Sequence, residues 1–537
     1  MMIFGLNPVT TRVVWIALVT GLFYAPSLAL GLISDDFSLI ELARSSSVAS
    51  LFVSKVAGDY YRPVVQLSFL LDYEFWSAEP FGYHATNLFL HLLNTILVSL
   101  IAKRILKDGT KGWAVCGLYF GLTPTHASSV LWICGRTDLL CATFYLLSVW
   151  CFLGALKNNR RALVCSVLTA FIALLCKEMA FSIPLVCFVI SFATRTRDGS
   201  RSRFRGAVKD TMPLILITFA HLGLRYSLFG SLPQSSGHGI ATVGMLFANL
   251  PRYAVGLVFP VDLETIKPFL RAHREVLFLV SAITAVFCLV VGRKLARDRI
   301  IFSIIICTCI CLLPVLRVYA PWYLYIPSVG VALMIGRLAV LVPRIQMRKV
   351  WVRAFVLVIV IVHLTSLAQA QIRAYTSGSL TDGAIQSLRS LVPKKGRAVV
   401  LAIPSEYRGV PVFGWIGNLS YAMKLVGHPI DVHAIVGMRI SDPEIEPEVI
   451  VDGASDHIHL AILGDRDFFR LQDLGVLTGA THPEVGQVFS TAHESVEVMA
   501  LNASRQPSRL KIIPRSFAVS DPDIKVFAFK GGELNEI

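Results

Sequence analysis

Charge is scarce in this sequence. Only 16% of its 537 residues are Asp, Glu, Lys or Arg, against about a quarter in soluble domains. Hydrophobic residues make up 55%, and the mean hydropathy is +0.64. A single soluble core cannot absorb that much apolar surface. Cysteine is missing from the C-terminal third, since all 11 lie before residue 312; that excludes a disulfide framework there. Cys307, Cys309 and Cys311 share one apolar run with no His or acidic neighbour, so they read as packing residues and not as metal ligands. Also lacking are a Walker A loop, a Gly-x-Ser-x-Gly elbow and any zinc-binding spacing, which leaves P-loop, serine-hydrolase and zinc chemistry without their residues.

What is abundant is long apolar runs, and they stop near residue 370. The formal net charge is +15, yet the segment from Gln371 onward carries 16 basic and 19 acidic residues. The basic excess therefore lies among the apolar runs, where short Lys/Arg loops set membrane orientation, and nucleic acid is not the expected partner. Eleven spans are predicted, at 13–33, 86–104, 112–126, 138–156, 161–176, 179–194, 211–228, 275–292, 299–316, 324–342 and 353–370. The basic connections Lys103–Lys111, Lys157–Arg161, Arg195–Lys209, Arg293–Arg299 and Arg344–Arg353 follow every second span. This puts the N-terminus in the cytoplasm and the C-terminal region outside. The first run, Val13–Ile33, exceeds the usual signal-peptide core of about 7–15 residues and reads as a retained helix. Val243–Pro260 reads as a helix along the outer interface.

The expected fold is thus an all-α polytopic membrane domain over 1–370, with a long first outer loop at 34–85, followed by an α+β soluble domain over 371–537. In the loop, Arg62–Trp76 has a helical pattern. In the C-terminal domain Ala398–Ile403, His457–Leu463 and Val526–Phe529 read as strands, and Phe413–Val426 as a helix.

Three sets of residues carry possible chemistry. Asp35 and Asp36 follow the first span, where a carboxylate can deprotonate or orient a hydroxyl acceptor; two adjacent carboxylates perturb one another, which can raise one pKa. A solvated loop start is the bland alternative. His84, Asn87, His91 and Asn94 share one helix face, and polar groups at membrane depth turn toward a partner or a wet cavity. The two histidines are about 10.5 Å apart in helix rise, too far for one metal ion; helix–helix hydrogen bonding is the alternative. Cations sit near the outer ends of spans: Arg62, Arg136 beside Asp138, Lys177 beside Glu178, His221 and Arg225, and Arg317 ahead of Tyr319, Tyr323 and Tyr325. Singly these suit snorkelling, ion pairing or an aromatic belt. Together they suit a departing lipid phosphate, which needs cations, a base for the acceptor and a lipid-facing groove.

Five stretches resemble the GT-C superfamily of membrane glycosyltransferases, and within it the protein O-mannosyltransferase-like branch, which includes transmembrane mannosyltransferases with tetratricopeptide repeats. They are Ser34-Asp35-Asp36-Phe37; Tyr61-Arg62-Pro63 continuing through Phe81-Gly82-Tyr83-His84 to His91 and Asn94; His126 through Gly135-Arg136-Thr137-Asp138; Lys177-Glu178-Met179; and Trp322-Tyr323-Leu324-Tyr325-Ile326-Pro327-Ser328. The resemblance implies a catalytic carboxylate in the acidic pair, Asp35 before Asp36. It also implies a dolichyl- or undecaprenyl-phosphate sugar donor, with mannose first. Arg62, His84, His91, His126, Arg136, Asp138, Lys177, Arg317 and Tyr323 are the expected donor-phosphate and substrate residues. The sequence departs from the branch at Thr123-Pro124-Thr125-His126-Ala127-Ser128, where the pattern is His-Pro-x-His-x-Glu, and its C-terminal region shows no tetratricopeptide signature.

The expected partners are a polyprenyl-phosphate sugar, the lipid bilayer and an acceptor hydroxyl on protein, lipid or glycan. No cofactor is singled out, and metal dependence stays open, because adjacent carboxylates could recruit a hard divalent cation. A bacterial inner membrane, with the C-terminal domain periplasmic, fits the cysteine-free tail. The competing reading is a non-enzymatic transporter or flippase of a lipid-linked substrate; the internal symmetry usual in transporters is not visible.

Overall fold

The computed structural model describes residues 7–55, 60–106, 111–195, 199–230, 243–259, 298–341, 349–415, 417–440, 447–452, 457–461, 468–470, 484–490, 494–502, 506–514, 524–530 and 533–536. The chain divides into two compact units. The first comprises Met1–Leu28, Val48–Ser68 and His84–Gln371; the second comprises Ala29–Ser47, Phe69–Tyr83 and Ile372–Ile537. The C-terminal division falls where the apolar runs end, but the second unit also takes in two pieces of the region read as the first outer loop.

The helices are α1 (Pro8–Tyr24), α2 (Asp35–Arg44), α3 (Val48–Leu51), α4 (Pro63–Trp76), α5 (Pro80–Leu106), α6 (Gly112–Leu122), α7 (Ala127–Val130), α8 (Arg136–Ala155), α9 (Arg160–Leu174), α10 (Ile183–Thr194), α11 (Ser200–Phe229), α12 (Val243–Val258), α13 (Arg299–Leu312), α14 (Ser328–Leu341), α15 (Lys349–Leu391) and α16 (Asn418–Leu425). Their starts follow local chemistry. Asn7 accepts the N–H groups of Val9 and Thr10 with Pro8 in the first turn, Asn159 accepts from Ala162, and Asp298 accepts from Ile300 and Ile301. Each satisfies orphan donors of a helix start.

Among the described residues, five helical segments are long and apolar enough to cross a membrane: Pro8–Ala29, Pro80–Leu106, Ile133–Ala155, Ser200–Phe229 and Leu357–Leu391. The first unit is therefore a multi-pass membrane bundle. Four further apolar helical segments, Gly112–Leu122, Glu178–Thr194, Arg299–Val315 and Ser328–Leu341, are shorter. Of the eleven predicted spans, ten fall on helices among the described residues, several of them short. Several apolar runs fold as short helices broken by 3-10 turns, as at Pro124–His126 and Glu178–Ser182. The predicted span 275–292 lies outside the described residues. Helix α15, at 43 residues, is about 65 Å long, roughly twice the hydrocarbon thickness of a bilayer.

Helices α6 and α14 pack backbone to backbone. A Cβ on Gly336 would lie 2.7 Å from the Gly112 carbonyl oxygen and 3.0 Å from the Cys116 Cβ. Small residues let helices approach this closely where no hydrophobic effect drives them together. Gly336→Leu is expected to cost about 1–3 kcal/mol through overpacking, read as earlier thermal unfolding of the detergent-solubilised protein; an unchanged transition would show that the helices separate freely.

The second unit holds two sheets. The strands are β1 (Arg397–Tyr407), β2 (Val410–Pro411), β3 (Asp431–Ile440), β4 (Glu448–Asp452), β5 (His457–Ala461), β6 (Phe468–Arg470), β7 (Val488–Ser490), β8 (Glu494–Leu501), β9 (Pro507–Pro514), β10 (Ile524–Lys530) and β11 (Glu533–Glu536). The first sheet has the order β11-β10-β1-β3-β6, with β2 paired to β1; the second has the order β4-β5-β9-β8-β7. Strand β1 runs parallel to both β10 and β3. It is buried from Ala398 through Ser405, as the central strand of a parallel arrangement should be. The second sheet is antiparallel throughout its pairs. The α+β expectation therefore holds. One element is corrected: the predicted helix 413–426 starts only at Asn418, because Gly414 takes a positive φ of 65° and turns the chain before it.

Candidate active site

In the second unit the acidic pair is set by an unusual turn. Ser34 has φ 52° and ψ −126°, a region that costs a non-glycine residue about 1–3 kcal/mol. Its N–H donates to the Val412 carbonyl at 2.6 Å. The turn starts α2 directly at Asp35, so both carboxylates lie in its first turn, where the helix dipole favours negative charge.

The two carboxylates differ. Asp36 is fully buried, and its Oδ2 accepts the Ile33 N–H at 3.1 Å, which ties it to the backbone before the helix. Asp35 is half-buried. Its Oδ1 accepts from Asn418 Nδ2 at 3.1 Å. Asn418 is itself fully buried and also donates to the Phe413 carbonyl at 2.8 Å. Phe37 stacks on Phe413 at 6.4 Å between ring centroids. A Cβ at Gly414 would sit 2.2 Å from Ser34 Oγ, so only glycine fits there. Burial pushes the Asp35 carboxyl above the usual carboxylate range, while hydrogen bonds from Asn418 and Ser34 pull it down; burial wins.

Asn418→Ala removes one of those opposing bonds. If Asp35 works as a base it must be ionised, so activity should fall as pH drops through its raised pKa. The variant should lose activity at a still higher pH than the parent. A pH–rate profile checks this; coincident acidic limbs would separate Asn418 from Asp35.

In the first unit, α5 presents its polar stripe inward. His84, Asn87, His91 and Asn94 are all at most 1% exposed, as the spacing predicts. His91 Nε2 is 3.1 Å from the Gly121 carbonyl, which can only accept, so Nε2 carries the proton. His91 Nδ1 then accepts from the Tyr325 hydroxyl at 2.8 Å, and that hydroxyl accepts from Asn94 Nδ2 at 3.2 Å. His126 Nε2 pairs with Ser328 Oγ at 2.7 Å, and Ser328 donates to the Tyr325 carbonyl at 2.7 Å. The rings of His91 and His126 meet edge to face at 5.5 Å. These two histidines thus fasten α5 and the 124–126 turn to the segment containing Tyr325. This is the helix–helix hydrogen bonding given as the alternative for the stripe. His84 is buried on the same helix.

Arg136, completely buried, donates from Nε to Asn87 Oδ1 at 2.9 Å and from Nη1 to the Ser68 carbonyl at 3.3 Å. Asn87 Nδ2 in turn donates to the Trp132 and Ile133 carbonyls at 3.1 and 3.3 Å. Gly135 precedes it, and a Cβ there would lie 2.3 Å from the Ser129 carbonyl oxygen. Arg136 therefore braces Asn87 and the Ser68 backbone.

Arg62, Asp138, Lys177 and Tyr323 are brought together. Lys177 Nζ contacts both Asp138 oxygens at 2.7 Å, with both side chains at most 4% exposed, and it lies 4.6 Å from the Tyr323 ring centroid. Arg62 pairs with Glu178 at 2.7 Å and stacks on Tyr60 at 4.0 Å. The expected open row of cations is thus a pair of matched ion pairs, because each basic residue has an acidic neighbour within low-dielectric surroundings. Arg62 retains one resource: its Nε is buried and has no acceptor among the described residues. Arg317 is half-buried in a turn held from α12, whose Asn249 donates to the Leu316 and Arg317 carbonyls at 3.0 Å each and whose Tyr253 donates to the Val318 carbonyl at 2.6 Å. Among the described residues no three His, Cys, Asp or Glu side chains gather as a metal site.

Sequence reasoning missed Asn418, Asn249 and Tyr253. Asn418 stood in a segment read as helical, with nothing to connect it to a residue 383 positions earlier.

No protein-family model matches the chain. Curated relatives do. Protein O-mannosyl-transferase Tmtc1 of Drosophila melanogaster is 32% identical over 161 residues, covering 30% of this chain and 19% of that protein. Protein O-mannosyl-transferase TMTC3 of Homo sapiens is 27% identical over 184 residues, covering 31% of this chain and 20% of that protein. The chain thus spans about a fifth of the length of these relatives. Among solved structures, ArnT from Cupriavidus metallidurans in the apo state aligns at 16% identity and a TM-score of 0.45, over 83% of this chain and 97% of ArnT. The same protein bound to undecaprenyl phosphate aligns at 13% identity and a TM-score of 0.43, over 94% of this chain and 97% of ArnT. In the segments that align, this chain is similar to the protein O-mannosyl-transferases.

Proposed function

We propose that this protein is a membrane glycosyltransferase that moves a sugar from a polyprenyl-phosphate carrier to an acceptor hydroxyl at the outer face of the membrane. Mannose is the first candidate sugar, from the names of the similar proteins. The observation that carries the reading is Asp35: a half-buried carboxylate at a helix start, held by a buried amide and with its pKa raised toward that of a general base. In this reading Asp35 takes the acceptor proton and the hydroxyl oxygen attacks the anomeric carbon as the bond to the lipid phosphate breaks. Asp36 fixes the helix start. Within the first unit, Arg62, whose buried Nε has no acceptor among the described residues, is the residue best suited to hold a phosphate, with the Lys177–Asp138 pair and Tyr323 near it. The similarity to named mannosyltransferases supports the reaction class; the outer-face, periplasmic orientation rests on the basic-loop pattern.

The test is to incubate the purified full chain with dolichyl- and undecaprenyl-phosphate mannose and a panel of hydroxyl-bearing peptides, lipids and glycans. Mass analysis of the acceptors should find an added hexose. Movement of the intact lipid-sugar across vesicles with no glycosylated acceptor would replace the enzyme by a transporter.

A further inference from the structure

A second feature of the first unit is lined by none of the residues placed in the candidate site. A cavity of about 1050 Å³ opens among α5, α8, α10, α13 and α14. That is at the upper end of the roughly 300–1,000 Å³ of small-molecule sites. Its walls are largely apolar, with Leu146, Val149, Ile190 and Ile304 among them. Basic residues line it too: Lys103, Arg104, Lys157, Arg195 and Arg299, and among the described lining residues there is no Asp or Glu. These residues belong to the basic connections that follow alternate spans.

Not all five cations are available. Arg104 donates to the Trp150 carbonyl at 2.7 Å and stacks on that indole at 4.0 Å. Arg195 pairs with Asp210 at 2.8 Å. Lys103, Lys157 and Arg299 are exposed and have no carboxylate within ion-pair distance among the described residues. The neighbouring acid, Asp298, is committed to Arg337 at 2.8 Å and to two backbone N–H groups of α13. A basic loop that only sets orientation needs charge but no hollow beneath it. Here a largely apolar hollow is lined by three cations that have no carboxylate partner among the described residues. That is the complement of a molecule with apolar chains and an anionic head.

We propose that this cavity binds an anionic phospholipid from the leaflet on the side of the basic loops, with acyl chain between α8, α10 and α13 and phosphate among Lys103, Lys157 and Arg299. The site is independent of the acidic pair and of the proposed transfer.

The test uses the full chain, delipidated in detergent, and titrates phosphatidylglycerol, phosphatidylcholine and soluble glycerol phosphate while following retained ligand by native mass spectrometry. Phosphatidylglycerol should be retained over phosphatidylcholine, and glycerol phosphate should not be retained. Lys103→Gln/Lys157→Gln/Arg299→Gln should weaken phosphatidylglycerol retention roughly a hundredfold, from the contribution of each cation near a membrane surface. Leu153→Trp, which fills the cavity without touching a charge, should weaken both lipids together. Equal retention of phosphatidylcholine would overturn the role of the cations. Equal retention of glycerol phosphate would make this a free-anion site and overturn the lipid assignment. Indifference to both variants would overturn the site itself.

Discussion

Asp35→Asn should lower the rate of sugar transfer by about 10²–10⁴-fold, the span usual for loss of a positioned general base, with the protein still folded in the membrane. Its stability has a definite sign. Burial raises the Asp35 pKa in the folded protein, so the protonated form is the one folding favours. Any stability this gives is present at low pH and is lost as pH rises through the raised value. At neutral pH the ionised carboxylate therefore carries a cost that a neutral amide does not. The Asn variant should unfold at a temperature equal to or above that of the parent. Asp36→Asn should behave differently: it weakens the carboxylate bond to the Ile33 N–H, so its loss of activity should come with a lower unfolding temperature. Transfer at the parental rate by Asp35→Asn would remove this residue as the base. An equal drop in stability for both variants would remove the distinction between them.

Lys177→Met should be the most damaging single change to folding. It leaves Asp138, 1% exposed, with the Lys177 contacts gone. Breaking one side of such a buried pair costs about 3–5 kcal/mol, whereas replacing both partners by apolar residues is often close to neutral. Lys177→Met/Asp138→Leu is therefore expected to recover most of the folded yield. If the pair only holds α8 to the 178–182 turn, the double variant also recovers transfer. If Lys177 helps neutralise the leaving phosphate, the double variant folds and stays inactive. Thermal unfolding and transfer rate, measured on the two variants together, separate these roles.

Much of the membrane unit was legible because its signals are local. A stripe at helical spacing needs only one helix to interpret it, and His84, Asn87, His91 and Asn94 are buried as their spacing required. Strands such as Ala398–Ile403 were visible for the same reason, as β-branched runs between turn residues. What the sequence did not disclose was who satisfies whom. Arg62 and Lys177 look like spare cations until Glu178 and Asp138 are seen to face them. The partners of the two His91 ring nitrogens, Tyr325 and the Gly121 carbonyl, likewise come from distant parts of the sequence. Span limits shifted where an apolar run was divided by a Pro-started 3-10 turn, as at Pro124, because hydropathy does not record where a helix stops.

The bond between Asp35 and Asn418 has a consequence for biosynthesis. The chain leaves the ribosome N-terminus first, so the carboxylate emerges early, while the amide that steadies it follows 383 residues later. A partly translated protein would already possess its membrane helices and its acid yet lack the hand that aims it. If the proposed transfer depends on this bond, a growing chain cannot begin it before Asn418 has been added.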